Sequence, residues 1–325
     1  MSTSSPSASH DALRITPRPF RPIRLGTRQS PLALAQAGEA RARLCAAHGW
    51  PADAVVLVPV VASGDRILDR PLAEIGGKAL WTKELDILLL AGEIDAAVHS
   101  MKDVETLRPA ELTIAAILPR ADVRDVLIGA ASVAAIPQGA RVGTSAPRRA
   151  AQMLHARPDL AVVSFRGNVA TRLGRLDRKE ADVTLLAAAG LDRLDVSSVG
   201  TPLDPATWLP APAQGAIGIE CLAARADLLA LFAAIDHAPS HAAIRAERAL
   251  LAGLGGTCQS PIAVHTRHDN LTLHLTAALF SPDGRHRVDA TSRVPVDQPE
   301  VAVDLAHALL DASPEAIRVH FNGAG

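Results

Sequence analysis

Short apolar runs alternate with longer amphipathic segments over the first two thirds of this 325-residue chain. The Val-rich run Val55 to Val61 is typical of a buried parallel strand, although Pro59 within it favours a sheet edge. Trp81 to Ala91 spaces its apolar residues as an amphipathic helix does, and Thr113 to Leu118 predicts a further strand. Alternating strands and helices favour an α/β fold with doubly wound, mostly parallel sheets.

Two stretches interrupt this alternation and predict where the chain passes between domains. They are the polar run Arg120 to Asp125 and the Pro-rich run Leu209 to Gly215. From Ile262 strict alternation and a turn at Pro282-Asp283-Gly284 predict an antiparallel hairpin. The predicted parts are a disordered tail (1–22), a first domain (23–118 and 216–238), a second (119–215) and a third (239–325).

Net charge and hydropathy narrow the classes of function. A net charge of -1 gives no reason to expect nucleic acid or a membrane surface as a partner. No apolar run reaches membrane-spanning length, and residues 1–22 lack the apolar core of a secretory signal. We therefore expect a cytoplasmic protein, with a short organelle transit segment as the minor alternative.

Arginine supplies most of the 33 basic side chains, because four of them are lysines. A codon bias would explain the total, but not why arginines follow predicted strands at the start of helices. Arg28 precedes Ser30 and Pro31, a good cap and first residue for a helix, whose N-terminus attracts anions. For Arg28, an ordinary surface charge is the alternative. Arg148 and Arg149 lie together in the first turn of a later predicted helix, where positive charge opposes the helix dipole. This suggests that they hold an anion, with an exposed pair as the alternative. The arginines at later junctions are Arg148, Arg149, Arg166, Arg172 and Arg193.

A short strand predicted at Ala96 to Val98 leads into the polar residues Ser100, Lys102 and Asp103. Ligands of open α/β sheets bind outside the carboxyl ends of strands, which is where Asp103 would lie. The alternative is a solvated pair of opposite charges, Lys102 and Asp103, of a kind common on protein surfaces.

The three cysteines, Cys45, Cys221 and Cys258, match neither a disulfide framework nor the spacing of a zinc site, so we expect no metal. Cys258 lies in the Gly-rich stretch Gly255 to Pro261. Good access in such a loop suits a nucleophile or a covalent attachment point. An ordinary buried thiol is the alternative.

Several stretches, taken together and in order, resemble the porphobilinogen deaminase (hydroxymethylbilane synthase) family. Each alone is weak evidence, whereas the ordered set is highly specific. The resemblance implies two domains like those of periplasmic binding proteins, joined by a double crossover, and a small α+β C-terminal domain that carries the cysteine. The matching stretches are 27–34, 76–78, 98–104, 166–169, 214–216 and the loop around Cys258.

The resemblance implies that a monomer polymerises porphobilinogen head to tail, with loss of ammonia, into the linear tetrapyrrole hydroxymethylbilane of haem-type biosynthesis. Cys258 would hold a dipyrromethane cofactor through a thioether, and the protein would build that cofactor from its own substrate pathway. Asp103 would be catalytic, stabilising the positive charge that develops as ammonia leaves. The other implied roles are cofactor binding by Lys102, Ser145, Arg148, Arg149 and Arg193, and substrate binding by Arg28, Ser30, Arg166 and Arg172.

A non-catalytic, two-lobed anion-binding protein is the alternative from another class, because fold alone does not determine function. A relative that has lost activity is a third possibility. The third domain with its cysteine loop argues against the binding protein. The sequence departs from the family pattern at Glu74, Trp81, Ala146 and Thr257, and at neither Asp103 nor Cys258.

Overall fold

A computed structural model describes residues 19–62, 81–257 and 259–321. Cys258, the stretch Gly76-Gly77-Lys78 with Glu74, and most of the predicted tail lie outside the described residues. Within them, no helix is both long and apolar enough to cross a bilayer.

The described strands and helices follow the predicted alternation until the last quarter of the chain. The strands are β1 (Ile23–Arg28), β2 (Val55–Val60), β3 (Ala96–Ser100), β4 (Leu112–Ile117), β5 (Asp125–Ile128), β6 (Arg141–Gly143), β7 (Ala161–Val163), β8 (Val183–Ala187), β9 (Thr201–Pro202), β10 (Ile217–Leu222), β11 (Ile262–Asp269), β12 (Thr272–Phe280) and β13 (Arg287–Pro295). The α-helices are α1 (Pro31–His48), α2 (Lys83–Leu90), α3 (Pro147–Ala156), α4 (Val169–Asp177), α5 (Ala188–Asp192), α6 (Ala226–Ala233), α7 (Ala238–Gly253), α8 (Ala302–Ala312) and α9 (Glu315–Arg318).

The first lobe is built on the sheet β2-β1-β3-β10-β4. β1 pairs in parallel with β2 and β3, whereas β10 runs antiparallel to β3 and β4. β2 is an edge strand with partly exposed side chains, so the position that Pro59 indicates is confirmed and full burial is wrong. Apolar side chains such as Leu25, Leu44 and Phe232 form the core between this sheet, α1 and α6.

The second lobe has an equivalent strand order, in the sheet β7-β6-β8-β5-β9. β6 pairs in parallel with β7 and β8, and β5 is antiparallel to β8 and β9. In each sheet the antiparallel strand between its neighbours is the one that arrives from the other lobe, since β5 follows β4 and β10 follows β9. The chain therefore crosses twice between the lobes.

The third domain is a three-stranded antiparallel sheet, β11-β12-β13, packed against α7 and α8. Its hairpin contacts the second lobe, where a ring nitrogen of His155 on α3 lies 2.9 Å from the carbonyl oxygen of Gly284. Gly284 has a positive φ of 72°, and a side chain there would collide with the backbone of α3. The expected architecture, two α/β lobes with a double crossover and a small α+β domain, is confirmed.

The predicted strand-to-helix junctions have the expected local structure. Ser30 Oγ accepts a hydrogen bond from the backbone N–H of Ala33 at 3.3 Å, and α1 ends at Gly49 in the left-handed conformation. Asn168 Oδ1 accepts from the backbone N–H of Thr171 at 2.8 Å and so caps α4. Side-chain caps of this kind fix where each helix begins, and therefore where the preceding arginine lies.

Candidate active site

Asp103 lies in a short 3-10 turn, Met101–Asp103, directly after β3. Met101 is 1% exposed and anchors this turn against β10, where Gly218 leaves room for its thioether. Lys102 and Asp103 are half-buried. The structure thus places Asp103 at the carboxyl end of a strand, where the sequence placed it, on a turn fixed by a buried anchor.

Lys102 lies among charges from both lobes. Burial lowers the pKa of Lys102 to about 8, because water no longer stabilises the ammonium group fully. Asp103 opposes this lowering, and the guanidinium groups of Arg149 and Arg148 add to it. Lys102 of the first lobe is therefore close to the start of α3 in the second.

Arg172 on α4, in the second lobe, also lies among charges from both lobes. Burial, first, and the neighbouring charges of Arg149 and Arg166 together lower the pKa of Arg172 to about 10. Asp103 raises it, so the carboxylate of the first lobe lies near this guanidinium of the second. The Nε of Arg172 donates to the carbonyl oxygen of Gly167 at 3.0 Å, which orients the side chain.

Asp125 opens β5 and is fully buried. Its Oδ2 accepts from Arg148 Nη1 at 2.7 Å, and its Oδ1 accepts from Arg149 Nη2 at 2.7 Å. Trp208 Nε1 also donates to Oδ2, at 3.0 Å, and Gln214 Nε2 donates to Oδ1 at 2.9 Å. Burial opposes ionisation of Asp125, but the two guanidinium groups outweigh it and hold its pKa well below the ordinary value.

The two arginines that open α3 are therefore not an exposed pair, and that alternative is wrong. Arg148 and Arg149 are 5% and 4% exposed, and the anion that they hold here is the chain's own Asp125. The Nε of Arg148 is buried without a hydrogen-bond partner among the described residues. Their predicted role towards a cofactor stays a prediction.

Ser145 and Arg193, the other predicted cofactor contacts in the second lobe, have partners of their own. The hydroxyl of Ser145 lies 3.1 Å from that of Ser164. Arg193 Nε donates to Glu39 Oε2 at 3.3 Å, and Arg193 Nη2 donates to the carbonyl oxygen of Gly215 at 3.3 Å. Arg193 thus contacts the first lobe and the segment that returns to it.

The predicted substrate contacts occupy both lobes. The guanidinium of Arg28 lies over the ring of Trp81, 4.0 Å from its centroid, a cation–π contact. Ser30 caps α1 as described above. Arg166 is 9% exposed and lies close enough to Arg172 to lower its pKa. The arrangement brings Arg166 and Arg172 together near Asp103.

The third domain holds the segment that follows Asp103. Arg248 on α7 donates from Nη2 to the carbonyl oxygen of Thr106 at 3.0 Å. Thr106 Oγ1 in turn donates to the carbonyl oxygen of Gly256 at 2.8 Å. Because Gly256 leads into Cys258, the loop predicted to carry the cofactor begins beside the segment that carries Asp103.

Sequence reasoning missed residues whose partners are distant in sequence. Asp125 was assigned to a polar crossing, although a charged residue that opens an apolar strand is a usable signal of a buried ion pair. Glu39 and Arg248 lie on helices and give no local signal. The described part of the chain holds no group of three or more His, Cys, Asp or Glu side chains that could bind a metal.

Comparison with known proteins places this chain in a family. The model of the "Porphobilinogen deaminase, dipyromethane cofactor binding domain" matches residues 23–230, and that of the "Porphobilinogen deaminase, C-terminal domain" matches 241–311. The porphobilinogen deaminase of Sphingopyxis alaskensis is 55% identical over 306 residues, 92% of this chain and 96% of the relative. That of Paracoccus denitrificans is 49% identical over 302 residues, with the same coverage of 92% and 96%.

A solved structure, the VFT2 domain of Bordetella pertussis BvgS, matches with a TM-score of 0.40 and 14% identity, over 69% of this chain and 91% of that one. A likeness at this level carries no argument about function. The family models, by contrast, match both the lobes and the third domain, and the relatives match over nearly their whole length. The chain belongs to the porphobilinogen deaminase family.

Proposed function

We propose that this protein is a transferase that polymerises porphobilinogen head to tail, with loss of ammonia, into hydroxymethylbilane. The observation that carries the proposal is one half-buried carboxylate, Asp103, close to Lys102 of its own lobe and Arg172 of the other. Membership of the family supplies the substrate. Porphobilinogen bears an acetate and a propionate, and cationic side chains recognise such groups.

The reaction makes one carbon–carbon bond for each carbon–nitrogen bond that it breaks. The aminomethyl carbon of porphobilinogen loses its nitrogen as ammonia, and positive charge develops on that pyrrole. The same carbon then bonds to the free α-carbon of the preceding pyrrole, which gives up its α-proton. At the end, the carbon–carbon bond that joins the first methylene carbon of the product to its acceptor pyrrole would break. Water supplies the hydroxyl on that methylene carbon, and the α-carbon of the acceptor pyrrole regains a proton.

Asp103 would act where this charge develops. A fixed carboxylate beside the pyrrole N–H stabilises the cation more than it stabilises the neutral substrate, and so lowers the barrier. The buried Met101 anchors the turn that carries Asp103. The carboxylate is therefore already in position and need not move as the charge develops. The same carboxylate can accept the proton that the α-carbon releases.

The residues present fit a cofactor that bears several carboxylates. A dipyrromethane held by Cys258 supplies the pyrrole that accepts the first substrate. Lys102 offers a half-buried ammonium group, Ser145 a hydroxyl, and Arg148 a buried Nε without a partner among the described residues. Our proposed assignments are Lys102, Ser145, Arg148, Arg149 and Arg193 to the cofactor, and Arg28, Ser30, Arg166 and Arg172 to the substrate and growing chain.

The setting of the enzyme is part of the proposal. We propose a cytoplasmic monomer with neither nucleic acid nor membrane as a partner. The net charge of -1 supports the absence of these two partners. The proposed domains are 23–118 with 216–238, 119–215 and 239–325. The passage from β4 to β5 and the return from β9 to β10 support these boundaries.

Incubation of the purified protein with porphobilinogen tests the function. We expect one ammonia for each porphobilinogen consumed, and a linear tetrapyrrole in the mass spectrum of the products. Asp103→Asn, which keeps the size of the side chain and removes its charge, is the control and should release almost no ammonia. Binding of porphobilinogen without ammonia release would instead favour the non-catalytic, two-lobed anion-binding protein.

A further inference from the structure

A salt bridge joins the two lobes at an arginine that the proposed function assigns to carboxylate binding. Arg193, directly after α5 in the second lobe, donates from Nε to Oε2 of Glu39 on α1 of the first lobe, at 3.3 Å. The side chains of Arg193 and Glu39 are 12% and 28% exposed. Solvent therefore screens this pair only in part.

Further contacts hold both partners in place. The other carboxylate oxygen of Glu39 accepts from Arg43 Nε at 3.1 Å, one helical turn further along α1. Arg193 Nη2 donates to the carbonyl oxygen of Gly215, which lies just before β10, where the chain re-enters the first lobe. Arg193 is thus tied to α1 and to the crossing segment by an internal carboxylate and a carbonyl.

We propose that Glu39 sets the affinity of the site for its ligand, because its carboxylate competes for Arg193 with the acid groups of the cofactor and of the chain that grows on it. This inference rests on the proposed function. Each added pyrrole brings an acetate and a propionate, so every elongation step adds anions that need cationic partners. An external carboxylate must break the internal salt bridge before it binds Arg193, and Glu39 therefore weakens the binding of intermediates and favours their release.

Glu39→Gln tests the inference, because it removes the charge and keeps the size of the side chain. We expect KM for porphobilinogen to fall at least threefold, and kcat to fall with it as release slows. Native mass spectra taken during turnover should show at least a threefold larger fraction of enzyme that carries partly elongated chains. A merely structural role of Glu39 would change stability without enriching these intermediates.

Two matched variants serve as controls. Arg43→Gln removes the other guanidinium from the same carboxylate and leaves the contact between Glu39 and Arg193. Glu93→Gln removes an exposed glutamate from the turn after α2. Both should stay within twofold of the wild type in KM and in the population of intermediates.

The salt bridge itself can be measured without substrate. Thermal unfolding of Glu39→Gln, Arg193→Gln and the double variant should give shifts that do not add, because either single change already removes the pair. Additive shifts would overturn the salt bridge. Unchanged KM and intermediates in Glu39→Gln, with an active wild type, would overturn the role of Glu39 and leave the proposed function standing. A wild type that consumes no porphobilinogen would overturn both.

Discussion

Asp103 and Asp125 lie in one electrostatic environment, since both act on the pKa of Lys102, yet their surroundings differ sharply. Asp103 follows β3 on a short turn and remains half-buried. Asp125 opens the antiparallel strand β5 and is fully buried, with two guanidinium groups, an indole and a carboxamide donating to it.

The position of each aspartate relative to its strand decides what its carboxylate can do. A carboxylate on a turn after a strand leaves the sheet and can meet a ligand. A carboxylate inside a sheet must be neutralised by its own chain, because burial of an unpaired charge is costly. The comparison is consistent with the proposed catalytic role of Asp103, and we propose that Asp125 positions Arg148 and Arg149.

Removal of the Asp103 carboxylate should have the largest effect on activity. We expect Asp103→Ala to lower kcat about 1,000-fold, the upper range for loss of one group that stabilises transition-state charge. Asp103→Glu should keep a trace of activity, since its carboxylate is displaced by a methylene. Steady-state rates check both values, and a rate near wild type for Asp103→Ala would break the assignment of Asp103.

Asp125→Asn should act on stability instead. We expect the free energy of unfolding to fall by about 3–5 kcal/mol, because two buried guanidinium groups lose their counter-ion. Urea titration measures this change. The control Asp269→Asn removes a carboxylate whose side chain is 63% exposed and lies 3.2 Å from His274 at the surface, and it should change stability little. Stability equal to wild type in Asp125→Asn would show that burial of Asp125 does not distinguish the two aspartates.

Much of the fold could be predicted because its signals are local. Ser30 and Pro31 mark the start of α1, Gly49 its end, and Pro59 the edge position of β2. The equivalent strand orders of the two sheets could not be predicted from residues alone. Strand order depends on pairing between segments such as β3 and β10, which are far apart in sequence.

The positions of the site residues along the chain could be predicted, whereas the residues that they contact could be predicted less well. The sequence placed arginines at the starts of helices, and Arg148 and Arg149 do directly follow Pro147, the first residue of α3. It left open whether they hold an anion or are exposed, and the structure supplies Asp125 as an internal anion. A partner contributed by another strand leaves no trace in the spacing around the arginines.

Lys102 should give the smallest of these effects, a dependence of affinity on pH. Its pKa of about 8, against an ordinary 10.5, means that the folded protein loses this charge between pH 7 and 9. We expect the affinity of cofactor-free protein for the dipyrromethane to fall by up to about tenfold over this range, as the charged fraction of Lys102 falls. Lys102→Arg keeps its charge and should show a flatter profile, whereas identical profiles would remove Lys102 from the set of carboxylate ligands.

The stability of the folded state also depends on the titration of Lys102. Between pH 8 and 10.5 unfolded chains keep the proton that the folded protein has released. The unfolded state then binds more protons, so the contribution of Lys102 to stability becomes more favourable as pH rises through this window. Relative to Lys102→Gln, the wild type should therefore gain stability from pH 8 to 10.5 in urea titrations, and a loss would contradict the lowered pKa.

The intact mass of the denatured, active protein tests the central claim most directly, that Cys258 carries the primer on which Asp103 acts. A thioether survives denaturation, so the mass should exceed that of the sequence by one dipyrromethane. A thiol reagent in denaturant should then label Cys45 and Cys221 and leave Cys258 unlabelled, and Cys258→Ala should show the plain mass and no activity. An active protein with the plain sequence mass and three labelled cysteines would contradict the account.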